Sequence, residues 1–197
     1  MHVAGYVLVG GRSSRMGHDK ARLRLPAHHL LLVESVAAKV QKVAGNVTLI
    51  GNSAAYRDLA LECLPDLRSG VGPLAGIEAA LAAQRAELNL IVACDMPGLR
   101  SEWLTQLLVS AEASNRLCVA AEDVEGRVHP LCAVYHRTCL AAIRAALAAG
   151  HLRLMDLIDS LDADTIKFET VIHNVNTPEE WESWCTGQPE LPAPRAL

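Results

Sequence analysis

Apolar residues fall along this chain in two kinds of run. Short, nearly unbroken runs occur at Tyr6–Val9, Val47–Ile50, Leu88–Ala93, Leu117–Ala121 and Val128–Tyr135. Each is strand-sized, and the β-branched content favours strands over helices. Between them lie longer segments in which apolar residues return every three or four positions. Leu30–Ala44 carries Leu32, Val33, Val36, Ala37, Val40 and Val43 on one stripe and meets Gly45 as a stop. Pro73 opens a second helix whose buried stripe is Leu74, Ile77 and Leu81, proline being harmless in a first turn. Ser101–Ala113, with Ser101 as its expected N-cap, Arg137–Ala149 and Leu152–Leu161 read as further helices.

The order strand, helix, strand within the first fifty residues has the size of a βαβ unit. Such a crossover predicts parallel strands and a right-handed connection. Leu88–Ala93, the most apolar run, is expected at the sheet centre with both faces buried. Val128–Tyr135 follows its predecessor without room for a crossover helix, so it is expected to run antiparallel or to lie across the sheet's end. Asp164–Phe168 is expected as an edge strand. Thr177 and Glu180, with Pro178 between them, form a capping box that starts the last helix. One α/β domain over residues 1–187 is expected, followed by a disordered tail, 188–197, with three prolines and no periodicity.

Composition narrows the function. The 197 residues carry a net charge of −4, with 51% hydrophobic and 20% charged residues, an ordinary globular balance. No apolar run approaches the ~18 residues of a membrane span. No secretory leader is visible, and the six cysteines are scattered without a C-x-x-C pair, which points to reduced thiols in the cytoplasm. The eight histidines show no metal-ligand spacing.

Against this acidic background, the stretch from Arg12 to Arg24 holds five basic residues and one acid. It follows the first strand directly, in the loop Gly10-Gly11-Arg12-Ser13-Ser14-Arg15-Met16-Gly17-His18-Asp19-Lys20. Loops at the carboxyl ends of parallel strands are where open α/β sheets bind ligands. Glycines let backbone N–H groups approach an anion, and Arg12, Arg15 and Lys20 are donors suited to phosphates. A positive loop on an acidic chain points to a small polyanion and away from nucleic acid. The spacing is neither the dinucleotide G-x-G-x-x-G nor the P-loop pattern. Asp95 closes the central strand in Cys94-Asp95-Met96-Pro97, where a carboxylate could hold Mg²⁺ jointly with substrate phosphates. Asn52, just past the second strand, has an Asx-turn as its commoner fate.

The run Leu8 to Ala21 resembles the nucleotidyltransferase signature L-A-G-G-x-S-x-R-M-G-x-D-K-A, departing only at Val9. Four further strings follow in order: G-P-L-A-G-I from Gly72, C-D-M-P from Cys94, H-P-L from His129 and N-V-N-T-P-E from Asn174. Together they are similar to the molybdenum cofactor guanylyltransferases (MobA-type). Residues 22–31 depart from that family in lacking its usual glycine.

The resemblance implies a Rossmann-like three-layer α/β/α fold with a mostly parallel sheet, of the nucleotide-diphospho-sugar transferase type. It implies transfer of GMP from GTP to molybdopterin, with release of pyrophosphate and Mg²⁺ as cofactor. Arg15, Lys20 and Asp95 would be catalytic, with Asp95 the metal ligand. Leu8, Val9, Gly10, Gly11, Lys20, Asn52, Asp66 and Asp95 would contact the nucleotide. His129, Asn174 and Asn176 would face the acceptor, His129 without an acid–base role. Partners would be GTP, molybdopterin and other molybdenum cofactor assembly proteins. The alternatives are a cytidylyltransferase or sugar-phosphate nucleotidyltransferase with the same parts, and a non-catalytic nucleotide-binding accessory protein. Lys20 together with Asp95 speaks against the last, because binding alone does not need the carboxylate.

Overall fold

The computed structural model describes residues 2–10, 19–26 and 30–187. Gly11, Arg15 and the tail 188–197 lie outside the described residues. The elements in chain order are β1 (Val3–Leu8), α1 (Leu32–Ala44), β2 (Thr48–Ile50), β3 (Cys63–Leu64), α2 (Pro73–Ala82), β4 (Leu88–Ala93) and α3 (Ser101–Ala113). They continue with β5 (Cys118–Glu122), β6 (Val128–His136), α4 (Cys139–Ala148), α5 (Leu154–Ser160), β7 (Asp164–Lys167) and α6 (Pro178–Thr186). Short 3-10 turns stand at Lys20–Arg22 and Ser53–Tyr56.

The strands of the described residues form one sheet in the order β3-β2-β1-β4-β6-β5-β7. β3, β2, β1 and β4 are mutually parallel, β6 is antiparallel to both its neighbours, and β7 is parallel to β5. β6 therefore runs antiparallel, as expected, but inside the sheet and not across its end. β7 is the expected edge strand. β3, only two residues long, had no apolar run to announce it.

Unbroken apolar strands follow from burial on both faces. Along β1, Val7 packs into one core while Ala4 and Tyr6 pack into the other. β4 sends Leu88, Leu90 and Val92 one way and Ile91 the other, and all six of its residues are buried. The first core lies under α1 and α3, the second under α2, α4 and α5, which makes three layers. α1 contributes Leu32, Val33, Val36 and Val40, all fully buried, at roughly 1.5–3 kcal/mol each. Its end is Gly45 in the left-handed conformation.

α3 has the expected bounds, but its N-cap is not the expected Ser101. Arg100 holds the N-cap position and Ser101 is the first helical residue. No side chain caps this helix, and Arg100 stacks over Trp103 at 5.3 Å. Among the described residues no helix is long and apolar enough to cross a membrane.

Candidate active site

The carboxyl ends of β3, β2, β1 and β4 form one continuous rim. Backbone bonds extend the ladder past the strands: Gly51 N–H to the Leu64 carbonyl at 2.9 Å, Val9 N–H to Ile50 at 2.8 Å and Cys94 N–H to Leu8 at 3.1 Å. Leu8, Val9, Gly10, Asn52, Asp66 and Asp95 all follow from this rim, each at a strand's last residue or within two of it. A Cβ at Gly51 would collide with the Val9 carbonyl, so only glycine lets these two strand ends meet. At Gly76, in α2, a Cβ would press on the Leu8 side chain at 3.1 Å and approach Asp66 Oδ1 at 3.6 Å. The glycine in G-P-L-A-G-I thus brings α2 close to the ends of β1 and β3.

Lys20 reaches the rim on the first 3-10 turn. Asp19 caps that turn, its Oδ1 accepting the Ala21 N–H at 3.0 Å. Its Oδ2 accepts the hydroxyl of buried Tyr56 at 2.8 Å. Arg22 stacks over the same ring at 5.7 Å and ion-pairs with Asp58. The turn carrying Lys20 is therefore clamped to the segment that follows Asn52. Asn52 Oδ1 accepts the Ala54 N–H at 3.2 Å, which bears out the Asx-type structural reading.

Lys20 Nζ lies 3.4 Å from Asp95 Oδ2 and donates to Asn176 Oδ1 at 2.8 Å. Asn174 Nδ2 donates to Asp95 Oδ1 at 3.0 Å. Lys20 and Asp95 are each 19% exposed, within reach of a ligand but partly shielded from water. Burial pushes the neighbouring Cys94 thiol up to about 12, so it is not a nucleophile at neutral pH. Burial also raises the Asp66 carboxyl above its ordinary range.

Asn174 and Asn176 arrive by an irregular route. β6 pairs with β4 only as far as Cys132 opposite Val92. On its other side, Ala120 faces Ala133 but Ala121 faces His129, so the register slips around Pro130. A proline without an N–H suits such a break, and bulges of this kind re-aim side chains beside active sites. Beyond Val92 a different segment takes over the hydrogen bonds. It leaves β7 with Phe168 N–H on the Glu122 carbonyl at 2.8 Å and Thr170 accepting from Val124 N–H at 3.2 Å. It ends with Val175 N–H on the Asp95 carbonyl at 2.9 Å. Buried Phe168, Ile172 and Val175 pin it to the first core. The Thr177–Glu180 capping box then starts α6 as expected.

This crossing segment, the β5–β6 turn and α6 enclose a cavity of about 800 Å³ whose walls include Arg127, His129, His173, Asn174, Asn176 and Trp184. His129 Nε2 meets Asp123 Oδ2 at 3.1 Å. Trp184 stacks with Trp181 at 5.5 Å. Of the expected site residues, then, Lys20, Asp95, Asn174 and Asn176 are joined by hydrogen bonds, and His129 shares a cavity with the two asparagines. Asn52 and Asp66 stand on the same rim without a bond to that group among the described residues. Tyr56, Asp123, Arg127, His173 and Trp184 were not singled out by sequence. Asp123 had a weak signal, an Asp three residues before Gly126, the ordinary pattern of a turn.

A family profile described as "MobA-like NTP transferase domain" matches residues 5–165. The chain belongs to that family. Curated relatives agree over nearly the whole length. A probable molybdenum cofactor guanylyltransferase of Flavobacterium johnsoniae is 31% identical over 179 residues, 89% of this chain and 92% of the relative. A molybdenum cofactor guanylyltransferase of Yersinia pestis is 31% identical over 190 residues, 93% of this chain and 95% of the relative. Among solved structures, the fold is similar to molybdopterin-guanine dinucleotide biosynthesis protein A from Archaeoglobus fulgidus, with TM-score 0.78 at 23% identity, covering 94% of this chain and 100% of that one. As a MobA-like NTP transferase, the chain is a nucleotidyltransferase with the three-layer fold of the nucleotide-diphospho-sugar transferase type.

Proposed function

We propose that this transferase moves GMP from GTP to molybdopterin, forming molybdopterin guanine dinucleotide and releasing pyrophosphate. The observation that carries the reading is the Lys20–Asp95 pair, with Asn176 bonded to Lys20 and Asn174 to Asp95, which joins the glycine-rich loop's end to the N-V-N-T-P-E segment. Relatives of the same length carry the guanylyltransferase name.

In this reading the nucleotide lies along the rim of β3, β2, β1 and β4. Leu8, Val9, Gly10, Gly11, Asn52 and Asp66 hold the nucleoside. Arg15 and Lys20 take the triphosphate. The acceptor enters through the cavity walled by His129, Asn174 and Asn176. Its terminal phosphate attacks the α-phosphorus, the bond to the β-phosphate oxygen breaks, and pyrophosphate departs. The attacking oxygen is already anionic, so no residue needs to act as general base. The residues contribute position and positive charge, which is most of what phosphoryl chemistry asks.

Asp95 is the residue that would hold a divalent cation, which we take to be Mg²⁺. The described residues offer no cluster of three metal-ligating side chains. A lone carboxylate fits an ion that completes its shell with phosphates and water, as Mg²⁺ does. Such an ion supplies charge neutralisation on the phosphate oxygens. Asn174 keeps Asp95 Oδ1 in place, and Lys20, at the longer 3.4 Å, can leave Oδ2 for a phosphate. The free cysteines, four of them buried, suit a reducing compartment, and we assign the enzyme to the cytoplasm.

The test is GTP turnover with and without molybdopterin, with CTP as the control nucleotide. Acceptor-dependent pyrophosphate release from GTP and not from CTP is expected. Equal or greater turnover of CTP would move the chain to the cytidylyltransferases.

A further inference from the structure

Behind the cavity wall, bonded to two of the residues that line it, stands a buried charge that nucleotide binding does not explain. Asp123 is fully buried in the turn between β5 and β6. Its two carboxylate oxygens are used differently. Oδ1 accepts the backbone N–H groups of Glu125 and Arg127, each at 3.0 Å, and these bonds close the turn. Oδ2 takes side chains only, Arg127 Nε at 3.1 Å and His129 Nε2 at 3.1 Å. Closing the turn needs one oxygen and no charge, and asparagine does it as well. A full carboxylate is costly to bury unless it is paired. The second oxygen therefore has a separate task, and both side chains that it holds face the cavity.

We propose that Asp123 is a positioning residue that aims the Arg127 guanidinium at the phosphate end of the acceptor and holds the His129 ring against the same wall. The proposal rests on the reading above, in which this cavity seats the acceptor. In that reading Lys20 serves the triphosphate, and an anionic phosphate monoester that approaches an anionic triphosphate gains from a further cation on the cavity wall. Arg127 is tethered through Nε and meets Glu125 through one terminal nitrogen. Among the described residues the rest of its planar fork is open to phosphate oxygens, with little rotational freedom left to lose on binding. Asn174 and Asn176 line the same cavity and bond Asp95 and Lys20, so the space runs up to the reacting groups.

The test is steady-state kinetics of the full chain with GTP and molybdopterin, alongside calorimetry with MgGTP. Asp123→Asn keeps an oxygen for the turn and removes the acceptor of the Arg127 Nε–H. It is expected to raise the acceptor KM roughly tenfold, with kcat and the GTP affinity changed by less than about threefold. Arg127→Ala should do the same, and the double variant should be no worse than the worse single one. An unchanged acceptor KM in folded Asp123→Asn overturns the proposal. So do losses that multiply in the double variant, or a GTP affinity that falls in step with the acceptor's. Should Asp123→Asn not fold, Arg127→Ala decides alone, since it leaves the Oδ1 bonds intact, and an unchanged acceptor KM there is also fatal. Wild-type protein that binds GTP but transfers nothing to molybdopterin refutes the parent reading, and this proposal with it. Normal transfer with a silent Asp123→Asn refutes only the role of Asp123.

Discussion

The two halves of this sheet build their parts of the site in different ways. In the parallel half, β3-β2-β1-β4, Leu8, Val9, Gly10, Asn52, Asp66 and Asp95 each follow a strand end, so the ladder itself sets their place, and Lys20 alone among the described site residues there comes in on a clamped turn. In the mixed half, β6-β5-β7, the cavity is made by a tight turn, a slipped register and a segment that crosses the rim from edge to centre. Parallel strands fix their carboxyl ends through backbone bonds, whatever the side chains are. An antiparallel insertion brings a strand's amino end to the rim, and its residues must then be aimed by side-chain anchors. Asp123 and the buried Phe168, Ile172 and Val175 are those anchors.

The largest expected effect lies where the halves meet. Lys20→Ala or Asp95→Asn should lower kcat by ~10²–10³, the usual loss for one transition-state stabiliser. Near-normal GMP transfer by Asp95→Asn would end the role given to that carboxylate. The next effect separates the halves. Asp66→Asn should raise the GTP KM roughly tenfold and leave the acceptor KM alone, the mirror image of Asp123→Asn. Equal effects on both substrates would show that the division of labour is wrong.

A third change tests stability on the parallel side without touching the rim. Glu78 is buried in α2 and pairs with Arg68 at 2.8 Å and Arg144 at 3.2 Å. Both arginines are about half exposed, so solvent screens the pairs. Glu78→Ala should then cost about 2 kcal/mol, a Tm lower by roughly 4–8 °C, seen by calorimetric melting. No change in Tm would mean that these pairs contribute nothing to stability.

The smallest effect is on acid stability. Arg68's hydrogen bond holds the Glu78 carboxyl below its ordinary range, against the opposing effect of burial. At Asp123 burial pushes upward, but bonds from the Arg127 backbone, His129 and the Arg127 guanidinium outweigh it and hold the group low. A depressed folded pKa adds stability above the unfolded value, and that stability is lost as pH falls through the folded one. Tm should therefore be nearly flat from pH 7 to about 5 and fall below about 4. Asp123→Asn should flatten that acid limb, and an unaltered limb would show that Asp123 is not charged in the folded state.

How much of this was legible in the sequence follows the same division. Both-face burial writes unbroken apolar runs, so β1, β2 and β4 could be read directly, and with them Asp95 and Asn52 just beyond. The Thr177–Glu180 box was legible because capping is local. The Asp19–Tyr56 bond was not, since 37 residues separate the partners and neither sits in a periodic segment. Lys20, Asn174 and Asn176 could be named from the motifs, but nothing in their spacing says that they touch. Lys20 and Asn176 are 156 positions apart, and the crossing segment that unites them follows no period.

The order of residues alone determined the alternation of strands and helices, the parallel first half and the chemistry at its strand ends, because those depend on local periodicity and backbone geometry. Only the folded chain decided that β6 inserts beside β4, that its pairing stops at Val92 and that Val175 takes over at Asp95. Those outcomes turn on which long-range hydrogen-bonding edge is satisfied by which segment, a competition settled by packing across the whole sheet.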